Sequence, residues 1–262
     1  MNYFDNENKI IEWFQNVEPS SVYFPIETNE LVSLFESIHN EEKWKRWINS
    51  SRKSDPPPDF YCNELKLMMD VMRVDDHAYK NKKGKLINPT NARESRMQKE
   101  LQESGILDLF PNVKNVICNA VTDLPTEQDH NFKFYKNNFA RAIDDHKSKI
   151  DLYKKNHPGY KIIFFILDES SAYFEIAENV KPNIKKGEIA QGRPHIHFLD
   201  RQFLQVIDHS EIDYLIWYAP YKMINLEGCN VYDMPRAAIY DCSQMDFEFL
   251  EYDNNRLVSV EE

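Results

Sequence analysis

The sequence predicts an α/β fold, a mixed sheet flanked by helices. Three observations predict it. Amphipathic helical segments alternate with short apolar runs. The longest strongly apolar run, "IIFFIL" at 162–167, has the length of a buried strand and is far too short to cross a bilayer. Hydrophobic residues make up 42% of the 262 positions, enough for one sizeable core. No segment reads as a linker, so residues 1–262 are expected to form a single domain.

Residues 5–17 and 28–50 read as helices. In the second, Leu31, Leu34, Phe35 and Ile38 recur at helical spacing behind Thr28 as cap, and Trp44 and Trp47 extend the stripe. The prolines of "SRKSDPPP" then end it.

The next stretch, "DFYCNELKLMMDVM" (59–72), carries two readings. Its good helix formers, with Leu65, Met68, Met69 and Met72 at helical spacing, suit a helix. The proline-rich entry and "DFYC" favour a hairpin: strand 59–62, turn Asn63-Glu64, strand 65–74. A two-residue turn would pair Cys62 with Leu65, Tyr61 with Lys66, Phe60 with Leu67 and Asp59 with Met68. Leu65, Leu67, Met69 and Val71 would then share one face, and Asp59, Lys66, Met68, Asp70 and Met72 the other. Asp59 and Asp70 become diagonal neighbours roughly 7–8 Å apart, within reach of a shared cation. Two adjacent carboxylates repel one another, and a Mg²⁺ ion converts that cost into a ligand set.

"KNKKGKLINP" (80–89) reads as a loop. A helix follows from 89 to 104, with Asn88 as cap, Pro89 in its first turn and Gly105 as its stop. A strand is expected at 113–121 and a long amphipathic helix at 130–155, with Phe132, Tyr135, Phe139, Ala142, Ile143 and His146 on one side. Residues 160–169 are the clearest strand, with "SAYFEIA" as a candidate partner. A short helix at 197–208, a strand at 212–221 and a final edge strand at 237–242 complete the pattern.

Charge and cysteine usage narrow the function classes. A net charge of −11 argues against coating nucleic acid by bulk charge, but leaves room for a nucleic-acid enzyme whose site is neutralised locally. Basic candidates are "KNKKGK" (80–85), Arg73, Arg93, Arg96, Lys99 and "KPNIKK" (181–186). Cys62, Cys118, Cys229 and Cys242 show no C-x-x-C spacing, and the start lacks a secretory pattern, so a reduced cytoplasmic protein without a membrane segment is expected. There is no P-loop, dinucleotide fingerprint or G-x-S-x-G elbow.

The stretch "PDFYCNELKLMMDVMRVDDH" resembles the central hairpin of the very-short-patch-repair-like endonucleases, a branch of the PD-(D/E)XK nuclease superfamily. The likeness spans roughly residues 55–120 and includes the helix "ARESRMQKELQESGI". Pro58-Asp59 matches the first acidic position, Asp70 the second and His77 the histidine. The resemblance implies a restriction-endonuclease-like core at about 28–121 with an elaboration at 122–262, and Mg²⁺-dependent DNA hydrolysis. Asp59 and Asp70 would hold the metal, with Glu36 or Glu41 of the preceding helix as a further ligand. His77 would act as general acid or base.

The sequence departs from that pattern at Met72, where the superfamily places lysine or an acid. Lys66 shares the face of Asp70 about 13 Å away along the strand, at ~3.3 Å per residue, and is the candidate to reach back. Glu64-Leu65-Lys66 is an alternative E-x-K element. A catalytically degenerate fold serving as a binding or scaffold module is the rival reading, and a homodimer the candidate assembly.

Two other groups carry chemistry-bearing residues. "RPHIHFLD" sets His195 and His197 on one face of a candidate strand near Asp200, a zinc-type spacing. Asp168-Glu169 ends the clearest strand, where α/β proteins often present functional groups.

Overall fold

The structure is a computed structural model that describes residues 7–50, 58–105, 130–178, 191–207, 210–222 and 234–260. The strand predicted at 113–121 and the basic segment 181–186 lie outside these residues, as do Cys118 and Cys229.

Helix α1 (Glu7–Gln15) buries Ile10, Ile11 and Phe14. Strand β1 (Val22–Tyr23) follows. Thr28 caps α2 (Asn29–His39) as expected, its hydroxyl accepting from Leu31 N at 3.2 Å. The helix predicted to run to residue 50 stops eleven residues earlier. Asn40 starts a new turn, α3 (Glu41–Trp44), by accepting from Glu42 N and Lys43 N. An asparagine that caps so well redirects the chain instead of propagating the helix. The two tryptophans stack at 5.4 Å, and residues 48–49 become strand β2 (Ile48–Asn49).

The hairpin reading prevails over the helical one. β3 (Phe60–Cys62) pairs with β2 and with β4 (Leu67–Val74), both antiparallel. The loop at 80–89 holds a small ribbon, β5 (Tyr79–Lys80) against β6 (Leu86–Ile87), and α4 (Pro89–Glu103) follows as predicted. The helix expected at 130–155 is two, α5 (Phe132–Lys147) and α6 (Ile150–Asn156), separated where Lys149 N bonds to His146 O three residues back. β7 (Lys161–Asp168) comes next.

β8 (Tyr173–Ile176) does not pair with β7. It joins β9 (Gly192–Pro194) and, at the end of the chain, β12 (Leu257–Ser259) in a separate three-stranded sheet. Residues 197–199 form a 3₁₀ turn leading into α7 (Arg201–Leu204). β10 (Tyr214–Tyr218) and β11 (Ala237–Asp241) complete a seven-stranded sheet of order β1-β11-β10-β7-β4-β3-β2. β11 was expected at an edge. The parallel strand β1, too short to leave a periodic signature, covers it.

β4, β7 and β10 run parallel through the centre and are buried on both faces. Alternation divides the core accordingly. Met69, Val71, Ile163 and Phe165 pack against α1 and α2. Met68, Met72, Phe164, Ile166 and Trp217 pack against α5, α6 and α7. The mixed sheet with helices on both faces is therefore the observed architecture. Among the described residues, no helix is long and apolar enough to cross a membrane.

Candidate functional site

The β3–β4 turn decides how the acids meet. A two-residue turn of the favoured type needs positive φ at both central residues, which Asn63-Glu64 lacks the glycine to supply. The chain takes a four-residue turn instead, 63–66, with Lys66 alone at φ 54°. The register shifts by two: Cys62 faces Leu67, Tyr61 faces Met68 and Phe60 faces Met69. Because the shift is even, each side chain keeps its predicted face. One step further, Asp59 lies directly opposite Asp70 and not diagonal to it.

The two carboxyls hydrogen-bond each other and split their proton unequally. Asp59 Oδ2 accepts from Val71 N at 2.9 Å, yet burial and the negative charge of Asp70 raise its pKa to about 7. Burial pushes Asp70 upward too. The His146 ring and the Tyr153 hydroxyl, 2.5 Å from Oδ2, outweigh that and leave Asp70 below its ordinary value.

A third carboxylate, on α1, adds to the negative charge felt by Asp59. Glu7 lies close enough to Asp59 to add to its repulsion, and Glu7 Oε2 is buried with no hydrogen-bond partner among the described residues. Sequence reasoning missed it, although a signal existed. Glu7 stands at i, i+4 and i+7 with Ile11 and Phe14, on the buried stripe of the helix. The expected ligands from the later helices go elsewhere: Glu36 is exposed and paired with Lys43, and Glu41 is exposed in the first turn of α3.

The other hairpin candidates also move. Lys66 leaves the strand for the turn, where its ammonium sits 4.9 Å over the Tyr160 ring, so it does not approach Asp70. Met72 is buried in the core and offers no polar group there. His77 lies beyond the end of β4, seven residues past Asp70, and joins a different cluster.

That cluster sits at the carboxyl ends of β4 and β7. Asp76 is fully buried; it accepts from Tyr173 Oη at 2.6 Å, Ser171 N and Oγ at 3.1 and 3.0 Å, and His130 Nδ1 at 3.1 Å. His77 Nε2 is 3.4 Å from its Oδ1. Burial would raise the Asp76 carboxyl, but the bonds from His130 and Tyr173 hold it down at about 2. Beside it, Asp168 is also fully buried and accepts from Tyr135 Oη, Trp217 Nε1 and Ser170, with Lys222 Nζ at 3.5 Å. The strand-end acid singled out from the sequence is thus the hub of a closed polar network. Its neighbour Glu169 grips Arg73 with two bonds of 2.8 and 2.7 Å.

Of the predicted nucleic-acid contacts, Arg73 is therefore engaged by Glu169, Arg96 meets Glu100 at 3.1 Å, and Lys99 lies 3.7 Å from Glu103. The Arg93 side chain is outside the described set. His195 and His197 are both buried but do not share a strand face, since β9 ends at Pro194. His195 Nε2 bonds to Asp200 Oδ2 at 2.7 Å, and Asp200 in turn caps α7 through Gln202 N. The His197 ring packs 5.0 Å from Trp217, with Nδ1 buried and without a hydrogen-bond partner among the described residues.

Comparison of the chain with protein-family models, with curated proteins and with solved structures finds no match.

Proposed function

We propose that this protein is a divalent-metal-dependent phosphodiester hydrolase of endonuclease type that acts on DNA. One observation carries the reading: Asp59 faces Asp70 across the β3–β4 hairpin. A carboxyl raised to about 7 by burial and by its neighbour's charge is a site short of positive charge. The two carboxylates are hard oxygen ligands that suit Mg²⁺, and a cation there would displace the proton that Asp59 keeps. Bound Mg²⁺ supplies a more acidic water and charge neutralisation for a phosphate.

The chain's own residues do the positioning. Tyr153 and His146 fix the orientation of Asp70, and Val71 N fixes that of Asp59. His146, at Asp70 Oδ2, takes the proton-carrying role first expected of His77. The resemblance to very-short-patch-repair-like endonucleases supports the same reading through Pro58-Asp59 and Asp70.

The rival reading, a degenerate nuclease fold that binds without cutting, is favoured by Met72, whose burial leaves the usual lysine position apolar. The zinc-hydrolase reading of His195 and His197 has no third ligand among the described residues.

Plasmid nicking with Mg²⁺ or Mn²⁺ separates these. Wild type should nick, and Asp59→Ala and Asp70→Ala should each lose at least about 100-fold, the scale of removing a group that acts on the transition state. Equal nicking by Asp70→Ala would overturn the proposal. DNA binding without nicking by wild type would establish the degenerate reading.

A further inference from the structure

We infer that Asp76, His77 and His130 form a second metal site, selective for a divalent transition ion, with zinc the best fit. It is separate from the carboxylate pair: Asp70 is four strand residues before the end of β4, roughly 13 Å from it at ~3.3 Å per residue, and the three ligands lie beyond that end.

The donor atoms of these three residues all lie within 4.8 Å of one another. Metal bonds of about 2.0–2.1 Å place tetrahedral ligand atoms roughly 3.3–3.4 Å apart. His77 Nε2 is 3.4 Å from Asp76 Oδ1, and His130 Nδ1 is 3.1 Å from the same atom. Two edges of a tetrahedral face are thus already at bonding size. The imidazole rings are tilted by 54° with centroids 4.8 Å apart, and their ligand nitrogens lie within 4.8 Å of one another.

The surroundings are those of a prepared ligand set. Tyr173 Oη and Ser171 N and Oγ all bond to Asp76 Oδ2, which leaves Oδ1 towards His77, while His130 Nδ1 lies 3.1 Å from both oxygens. Such outer bonds orient a metal-ligating carboxylate. The turn bearing His77 is held as well. Asp75 Oδ1 accepts from His77 N and Ala78 N, and Asn138 bonds both Asp75 and Ala78 O.

Charge argues in the same direction. One carboxylate cannot neutralise two imidazolium rings, whereas two neutral imidazoles and a carboxylate leave a divalent ion at net +1. Two nitrogens and one oxygen select zinc, or another late first-row ion, over Mg²⁺. Among the described residues no fourth ligand joins them.

The test is titration of the metal-free full chain with Co²⁺ and Zn²⁺. A tightly bound Co²⁺ should give the intense visible bands of a tetrahedral site, with any ion on the carboxylate pair adding none of them. X-ray absorption on the zinc form should show nitrogen and oxygen ligands only, with scattering from two imidazoles. His77→Gln and His130→Gln should each weaken binding by more than about 100-fold, beyond the usual cost of losing an outer-shell group. Asp70→Asn and His195→Gln should leave it unchanged. No Co²⁺ uptake by wild type, sulfur ligation, or bands that survive both histidine variants would overturn the site. Bands lost only in Asp70→Asn would assign the ion to the hairpin instead.

Discussion

Asp59 keeps a proton at a pH where an aspartate is ordinarily ionised, and this has a consequence for stability. Its folded pKa of about 7 exceeds the usual 3.8, so between those values the native state holds a proton that the unfolded chain has released. Stability therefore falls as pH rises through that window and levels off above it. Asp59→Asn retains a donor towards Asp70 and abolishes the titration. The variant should match wild type near pH 4 and exceed it by on the order of 2 kcal/mol above pH 7, read from urea unfolding at several pH values. A constant difference across that range would contradict the shared-proton arrangement. At this scale the sequence was partly legible. The aspartates and their common face followed from period-two alternation. Glu7 did not, because a single glutamate in a first helical turn more often complements the helix dipole than a site.

At the scale of elements, the strongest lesson is in capping and turns. Asn40 ends one helix and begins another, and its side chain accepts two backbone N–H groups. Asn40→Ala should cost about 1 kcal/mol and loosen the Trp44–Trp47 stack, visible as a change in near-ultraviolet dichroism. An unchanged melting midpoint would show that tertiary packing alone sets the break. The β3–β4 turn teaches the converse. Its type could not be read from Asn63-Glu64, since a longer turn with Lys66 at positive φ competes closely with a two-residue one. Only the parity of the shift preserved the predicted faces. An odd shift would have sent Asp70 into the layer beneath α1 and α2.

Across the whole molecule, β4, β7 and β10 form a parallel centre whose carboxyl ends gather Asp76, Asp168 and Lys222 under α5 and the small sheet. Buried histidines are part of the same region. Burial lowers both His195 and His197, most strongly His197, which the Lys222 charge disfavours further. Their folded pKa values lie below the usual 6.5, so the unfolded chain takes up protons first on acidification. Stability from these groups is full above pH 6.5 and is lost as pH falls. His197→Met should flatten that acid limb by up to about 1.4 kcal/mol per pH unit relative to wild type, measured as unfolding free energy against pH. Parallel curves for the two proteins would rule out a buried neutral His197. The sequence by itself determined the α/β class, the strands at 160–169 and 212–221 and, on its hairpin reading, the common face of Asp59 and Asp70, because these follow from local periodicity and side-chain chemistry. Tertiary structure alone decided that Asp76 meets His77 and His130, that Asp70 meets His146 and Tyr153, and that β8 leaves the main sheet. Those contacts join residues far apart in the chain, and no local pattern encodes which distant partner will satisfy a buried charge.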